Sequence, residues 1–124
     1  MNNVTYFIDK ENGIVVCTGK ECEYDALKKI VKIYNSELIY EYLNDPRFRT
    51  LLMPKTFKGV AKLHPSDKDN FNETIGKDIA HDKMVKKYMN SKKKAILRFV
   101  NEIEKDIRKA NMYVNGITDK YDLD

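Results

Sequence analysis

The apolar positions of this chain change rhythm several times, and each change marks an element. Val4 to Ile8 and Ile14 to Thr18 are β-branched and aromatic stretches on either side of Glu11-Asn12-Gly13. An Asn-Gly pair supplies the positive φ angles of a tight turn, so this opening predicts a β-hairpin. From Tyr24 the period lengthens. Tyr24, Leu27, Ile30, Val31 and Tyr34 fall at the spacing of one helix face and predict a short helix to about Asn35. Ser36 is placed to cap one or two further turns carrying Leu38, Ile39, Tyr42 and Leu43, which Asp45-Pro46 would stop. Residues 24–45 thus read as a helical insertion between strands. Phe48 to Met53 and Thr56 to Leu63 are the next candidate strands, parted by Pro54, and His64-Pro65-Ser66-Asp67 is turn chemistry.

Beyond that turn the pattern is helical. Asn70 or Asn72 is a candidate N-cap for a helix with Phe71, Ile75, Ile79, Ala80, Met84, Tyr88 and Met89 along one side. Gly76 lies inside it and implies a close backbone approach. Asn90-Ser91 predicts a break or kink. Ile96, Val100, Ile103, Ile107, Ala110 and Val114 then recur at spacings of four, three, four, three and four, the period of a heptad seam. Asn115-Gly116 is a left-handed stop for that helix, leaving an acidic, frayed tail from Asp119 to Asp124. The expectation is one α+β domain over residues 1–124, a small N-terminal antiparallel sheet followed by long C-terminal helices. Residues 1–63 hold hairpin, insertion and sheet, and residues 70–116 the helical segment. The seam is longer than a two-layer domain needs to cover, which predicts a homo-oligomer through the C-terminal helices, with core packing inside one chain as the competing explanation.

Composition narrows the class. The chain has 124 residues, enough to bury a core without disulfide or metal staples, and is 42% hydrophobic and 34% charged. No apolar run approaches the roughly 20 residues of a spanning helix, and Met1-Asn2-Asn3 opens no signal peptide. These features predict a cytoplasmic protein with no membrane partner. Cys17 and Cys22 read as reduced thiols. With His64 and His81 they make no known zinc spacing, and Asp67, Asp69, Asp78 and Asp82 are interleaved with lysines, so no metal and no cofactor is expected.

Charge is placed unevenly. Residues 1–50 carry 7 basic and 8 acidic side chains, and residues 51–124 carry 16 and 11. Lys83, Lys86, Lys87, Lys92, Lys93, Lys94 and Arg98 follow one another with no Asp or Glu between them. Such a block attracts phosphate, although a solvated helix face has the same composition. Catalytic signatures are missing: there is no nucleophile elbow, P-loop, zinc-protease or dinucleotide fingerprint, and His81 and Asp82 diverge as neighbours on a helix. Anion binding is better supported. The turn before Asn72 leads into a helix N-terminus, Phe71 and Tyr88 offer faces for a base, and Asn72, Asn90 and Asn111 offer paired donors and acceptors. Arg98 and Arg108 are ten residues apart, so the turn of one copy can meet an arginine of another. The pieces suit a nucleotide held between chains.

Phe57-Lys58-Gly59-Val60-Ala61-Lys62, then His64-Pro65-Ser66-Asp67, Phe71, Gly76-Lys77 and Ile79-Ala80 form a pattern that, with the hairpin ending in Val15-Val16-Cys17, resembles small phage proteins of Gram-positive bacteria. The family it is most similar to is the anti-Thoeris sponge proteins, which sequester cyclic ADP-ribose signals made by host TIR-domain enzymes. The likeness covers about half the chain, mainly residues 55–90, and departs at Leu63 and at His81-Asp82. It implies an N-terminal antiparallel sheet with two long C-terminal helices, a homo-oligomer, and a cyclic nucleotide bound between subunits without cleavage. Lys62, Phe71 and Lys77 are the ligand-binding positions it carries over. Asn72, Tyr88, Arg98, Arg108 and Asn111 join them on physical grounds. The resulting expectation is a phage-encoded, non-enzymatic anti-defence protein. The alternative is a nucleic-acid-binding or nuclease-inhibiting phage protein of the anti-CRISPR type, with the basic block along a phosphate backbone. An adaptor whose helices merely dimerise is the third reading.

Overall fold

Two-residue alternation at the N-terminus folds into a three-stranded antiparallel sheet of order β1-β2-β3, with β1 at Asn3–Asp9, β2 at Ile14–Lys20 and β3 at Thr56–Lys62. The structure is a computed structural model and describes residues 3–21, 25–34, 50–63 and 71–124. Four residues, rather than a two-residue turn, join β1 to β2, and only Gly13 takes a positive φ, of 61°. The loop is held by Asp9, whose carboxylate accepts from the Asn12 amide nitrogen at 3.2 Å and from Asn12 Nδ2 at 2.8 Å. An Asp placed to bond the backbone three residues on favours this wider turn over the tightest one.

Register gathers Ile8, Val15 and Ala61 in one row, Tyr6, Cys17 and Gly59 in the next, and Val4, Gly19 and Phe57 in the third, all on one face. Helix α2, Glu73–Tyr121, crosses that face and contributes Ala80, Met84, Ala95 and Phe99 to the core. Helix α1, Asp25–Tyr34, closes one side with Ala26 and Ile30, and Leu27 and Val31 pack behind them.

The prediction of a strand at Phe48 to Met53 is corrected. Phe48 lies outside the described residues, Thr50 and Leu51 belong to a short 3-10 turn, and Leu52 to Pro54 form no strand. The alternation there is real, since Leu51 and Met53 are buried and Leu52 is exposed. These two side chains plug the core without pairing to a neighbouring strand. The second helical stretch expected from Ser36 to Asp45, the turn at His64 to Asp67, Cys22 and the alternative cap Asn70 also lie outside the described residues.

The C-terminal helices are in fact one helix of 49 residues. It starts where Asn72 accepts the Ile75 amide on its side-chain oxygen at 3.1 Å. It neither breaks at Asn90-Ser91 nor stops at Gly116. Asn and Ser cost a helix only a few tenths of a kcal/mol each, too little to break one whose flanking turns are packed on a sheet. The left-handed stop is made by Asp122, at φ 54° and ψ 47°, and the Leu123 amide donates to the Thr118 carbonyl at 3.0 Å. Among the described residues no helix is long and apolar enough to cross a membrane.

Close approach between sheet and helix depends on two small residues. A Cβ added at Gly59 would overlap the Ala80 carbonyl oxygen and the Met84 amide, so the strand backbone touches the helix backbone there. Gly76 packs on a side chain, and a Cβ there would meet Val15 Cγ2 at 2.7 Å. Gly116, by contrast, has open space around it. Gly59→Ala should therefore lower stability by roughly 1–3 kcal/mol or more, whereas Gly116→Ala should raise it by about 0.5–1 kcal/mol. Urea unfolding of the two variants beside the parent checks both signs.

Candidate functional site

The eight positions named as ligand-binding fall in four places along α2 and the strand before it. Lys62, Phe71 and Asn72 come together where β3 ends and α2 begins. They line a cavity of about 150 Å³ whose other walls are largely apolar, among them Val15, Leu63 and Ile79. Pockets for drug-sized ligands run from about 300 to 1,000 Å³, so this one is too small for a whole nucleotide. The Asn72 side-chain oxygen is already engaged by the helix cap.

Lys77 does not line that cavity. Its ammonium lies 3.2 Å from Glu73 Oε1 and 5.5 Å from the centre of the Tyr6 ring, turned toward β1. Tyr88 is committed to structure as well. Its ring meets Phe57 edge-on at 5.4 Å, and its hydroxyl donates to Asp25 Oδ2. Lys92 completes the cluster, 2.8 Å from the same carboxylate oxygen and 5.8 Å from the Tyr88 ring centre. Burial pushes the Tyr88 hydroxyl well above its ordinary value, and the Asp25 carboxylate pushes it further, so it stays a donor. Burial alone would raise Asp25 too. The hydrogen bonds from Lys92 and Tyr88 and the nearby lysine charges outweigh it, leaving Asp25 below the usual carboxylate range. This cluster pins the first turn of α1 to the middle of α2.

Arg98 and Arg108 do come together. They line one open groove of about 320 Å³ with Thr50, Asn101, Glu102 and Lys105. Arg98 Nη2 donates to the Thr50 carbonyl at 3.2 Å, and Lys105 Nζ lies 3.1 Å from Glu102 Oε1. Asn111 is exposed one turn past Arg108 on the same side of the helix. From Asn72 to Arg98 is about 39 Å along the axis at 1.5 Å per residue. The cavity at the start of α2 and the arginine groove therefore cannot hold one small molecule within a single copy.

Sequence reasoning missed the partners Asn101 and Lys105, although their signal is present. Positions 98, 101, 105 and 108 repeat at three, four and three, a polar helix face on the side opposite the apolar seam. Of the basic block, Lys92 is taken by Asp25, and Lys83 Nζ donates to the Val60 carbonyl at 3.1 Å. Lys86, Lys87, Lys93 and Lys94 are exposed and repeat after seven residues, on the side of α2 away from the sheet. Cys17 is buried in the sheet as a free thiol, which burial shifts upward. No protein-family model, no curated protein and no solved structure matches the chain.

Because the folded state holds Asp25 below its unfolded value, this carboxylate stabilises the fold fully above about pH 4. That contribution is lost as pH falls through the lower folded-state value. Asp25→Asn should lower the melting temperature at pH 7 and flatten its fall below about pH 4. Thermal melts across that range check it, and an unchanged acid limb would show that Asp25 contributes nothing to it.

Proposed function

We propose that this protein binds and sequesters a cyclic nucleotide signal of the glyco-cyclic ADP-ribose type without cleaving it, as a phage-encoded anti-defence protein acting in the host cytoplasm as a homo-oligomer. The observation that carries this reading is the groove shared by Arg98, Asn101, Lys105 and Arg108. Guanidinium forks match phosphate oxygens in pairs, an ammonium adds a mobile charge, and an amide supplies a donor and an acceptor for a sugar or base edge. The groove is open on one copy, and another copy set against the groove flank of α2 is what encloses the ligand. Phe71, Asn72 and Lys62, too distant in the same chain, take part only from another copy. Retention without turnover needs no nucleophile, which suits a groove of cations and an amide whose one carboxylate, Glu102, is paired with Lys105.

The exposed face of Lys86, Lys87, Lys93 and Lys94 favours one second reading, a protein that lies along a nucleic-acid backbone. Its signature is affinity for DNA or RNA that falls steeply with salt, and flat salt dependence removes it.

Incubating the protein with glyco-cyclic ADP-ribose should deplete the free ligand, and heat denaturation should return it intact. Turnover, or no depletion, sinks the proposal. Arg108→Ala should weaken retention by about ten- to a hundredfold, the loss of one charged hydrogen-bonding partner. If Arg108→Ala and Phe71→Ala both leave retention unchanged, the site is wrong even where sequestration holds.

A further inference from the structure

The heptad seam that begins at Ile96 does not end at Val114. Because α2 runs straight through Gly116, Ile117 and Tyr121 extend it at the same alternation of three and four. Ile96 and Ile103, at its start, pack against the chain's own core. Its later part stands largely uncovered: Ile107 is 54%, Val114 56% and Tyr121 63% exposed, and Tyr113 on its flank 72%, while Ile117 is half-buried.

We propose that this uncovered stripe pairs with the same stripe of a second copy, antiparallel, about a two-fold axis crossing the seam at the height of Met112. The inference rests on the self-association in the function proposed above and gives one of its contacts a direction and register; the arginine groove, on the opposite flank of α2, stays outside this contact. Ile107 of one copy packs on Ile117 of the other, Ala110 on Val114, and Ile103 on Tyr121.

Direction follows from where the domain sits. At the height of Ile96 and Ile103 the chain's own core lies beside the seam and leaves these side chains only partly covered. A parallel partner would need the seam side at the same height and would collide with the domain. An antiparallel partner carries its domain to the opposite end. Register follows from the same constraint. Sliding the copies inward by one heptad drives Tyr121 against the layer of Ile96, and sliding them outward by one gives up the outer layers. The stripe and its flanks amount to roughly 600 Å² per copy, close to the about 800 Å² per partner of a standard-size interface. This register also sets Lys120 of one copy on the side of the pair that carries Asp106 of the other, opposite in sign, and opposes the two helix dipoles.

The test is disulfide capture in a Cys22→Ser background, with one copy carrying a tag that changes its mobility. Ala110→Cys mixed with Val114→Cys should cross-link on oxidation, since facing core positions bring the two thiols within bonding geometry. Val114→Cys alone should not. Native mass should be twice that of the chain for the parent, and half of the parent value for Val114→Lys, whose exposed helical site leaves the fold intact. Self-cross-linking of Val114→Cys shows a parallel pair and overturns the proposal, as does a monomeric parent. Glyco-cyclic ADP-ribose retention on the same samples separates the two readings. A monomer that still retains ligand overturns the pairing alone, whereas an antiparallel dimer that retains none supports the pairing and overturns sequestration.

Discussion

Contact between the backbones of β3 and α2 at Gly59 sets the rest of this structure. Where the strand has no side chain, the Ala80 carbonyl and the Met84 amide come against it. Ala80 and Met84 are then fully buried, and the larger groups Phe57 and Phe99 fill the space farther out. A helix seated this closely has its rotation fixed, because turning it by one residue would drive a larger side chain into the glycine. Every other face of α2 takes its meaning from that rotation. The side away from the sheet carries the exposed lysines, one flank carries the arginine groove, and the other carries the heptad seam.

The cluster of Asp25, Tyr88 and Lys92 does for α1 what Gly59 does for α2. It joins two elements, through residues as far apart as Asp25 and Tyr88, 63 positions along the chain, by one carboxylate that accepts from both a phenol and an ammonium. Its members are partly buried, so their mutual attraction is screened less than that of an exposed pair. The cluster also sorts the basic residues. Lys92 and Lys83 hold the domain together, while Lys86, Lys87, Lys93 and Lys94 face solvent. A run of like charges that looks uniform in sequence is thus divided between scaffold and surface.

Much of the fold was legible from one dimension. The hairpin, the short helix at Asp25–Tyr34, the strand at Thr56–Lys62 and the cap at Asn72 all show in local pattern, because each depends on neighbours within a few residues. The errors share a cause. Leu51 and Met53 alternate like a strand yet pair with none, and Asn90-Ser91 and Gly116 resemble helix breakers inside a helix that continues. In each case packing or propagation over several turns outweighs a local preference of about 1 kcal/mol or less. Tyr88 shows the same limit within the candidate site: an aromatic at helical spacing reads equally as base platform or core, and only its contacts with Asp25 and Phe57 choose.

What the sequence determined by itself is periodicity: which stretches are strand or helix, where the long helix starts, and that an apolar stripe and a cationic face run along it. Those properties follow from the spacing of side chains on a regular backbone. Which face meets the sheet, which lysines are bound, that Arg98 and Arg108 share a groove with Asn101 and Lys105, and where the seam emerges from cover were decided only by the tertiary structure. Each of these depends on residues far apart in the chain, and on a close approach at Gly59 that no local pattern encodes.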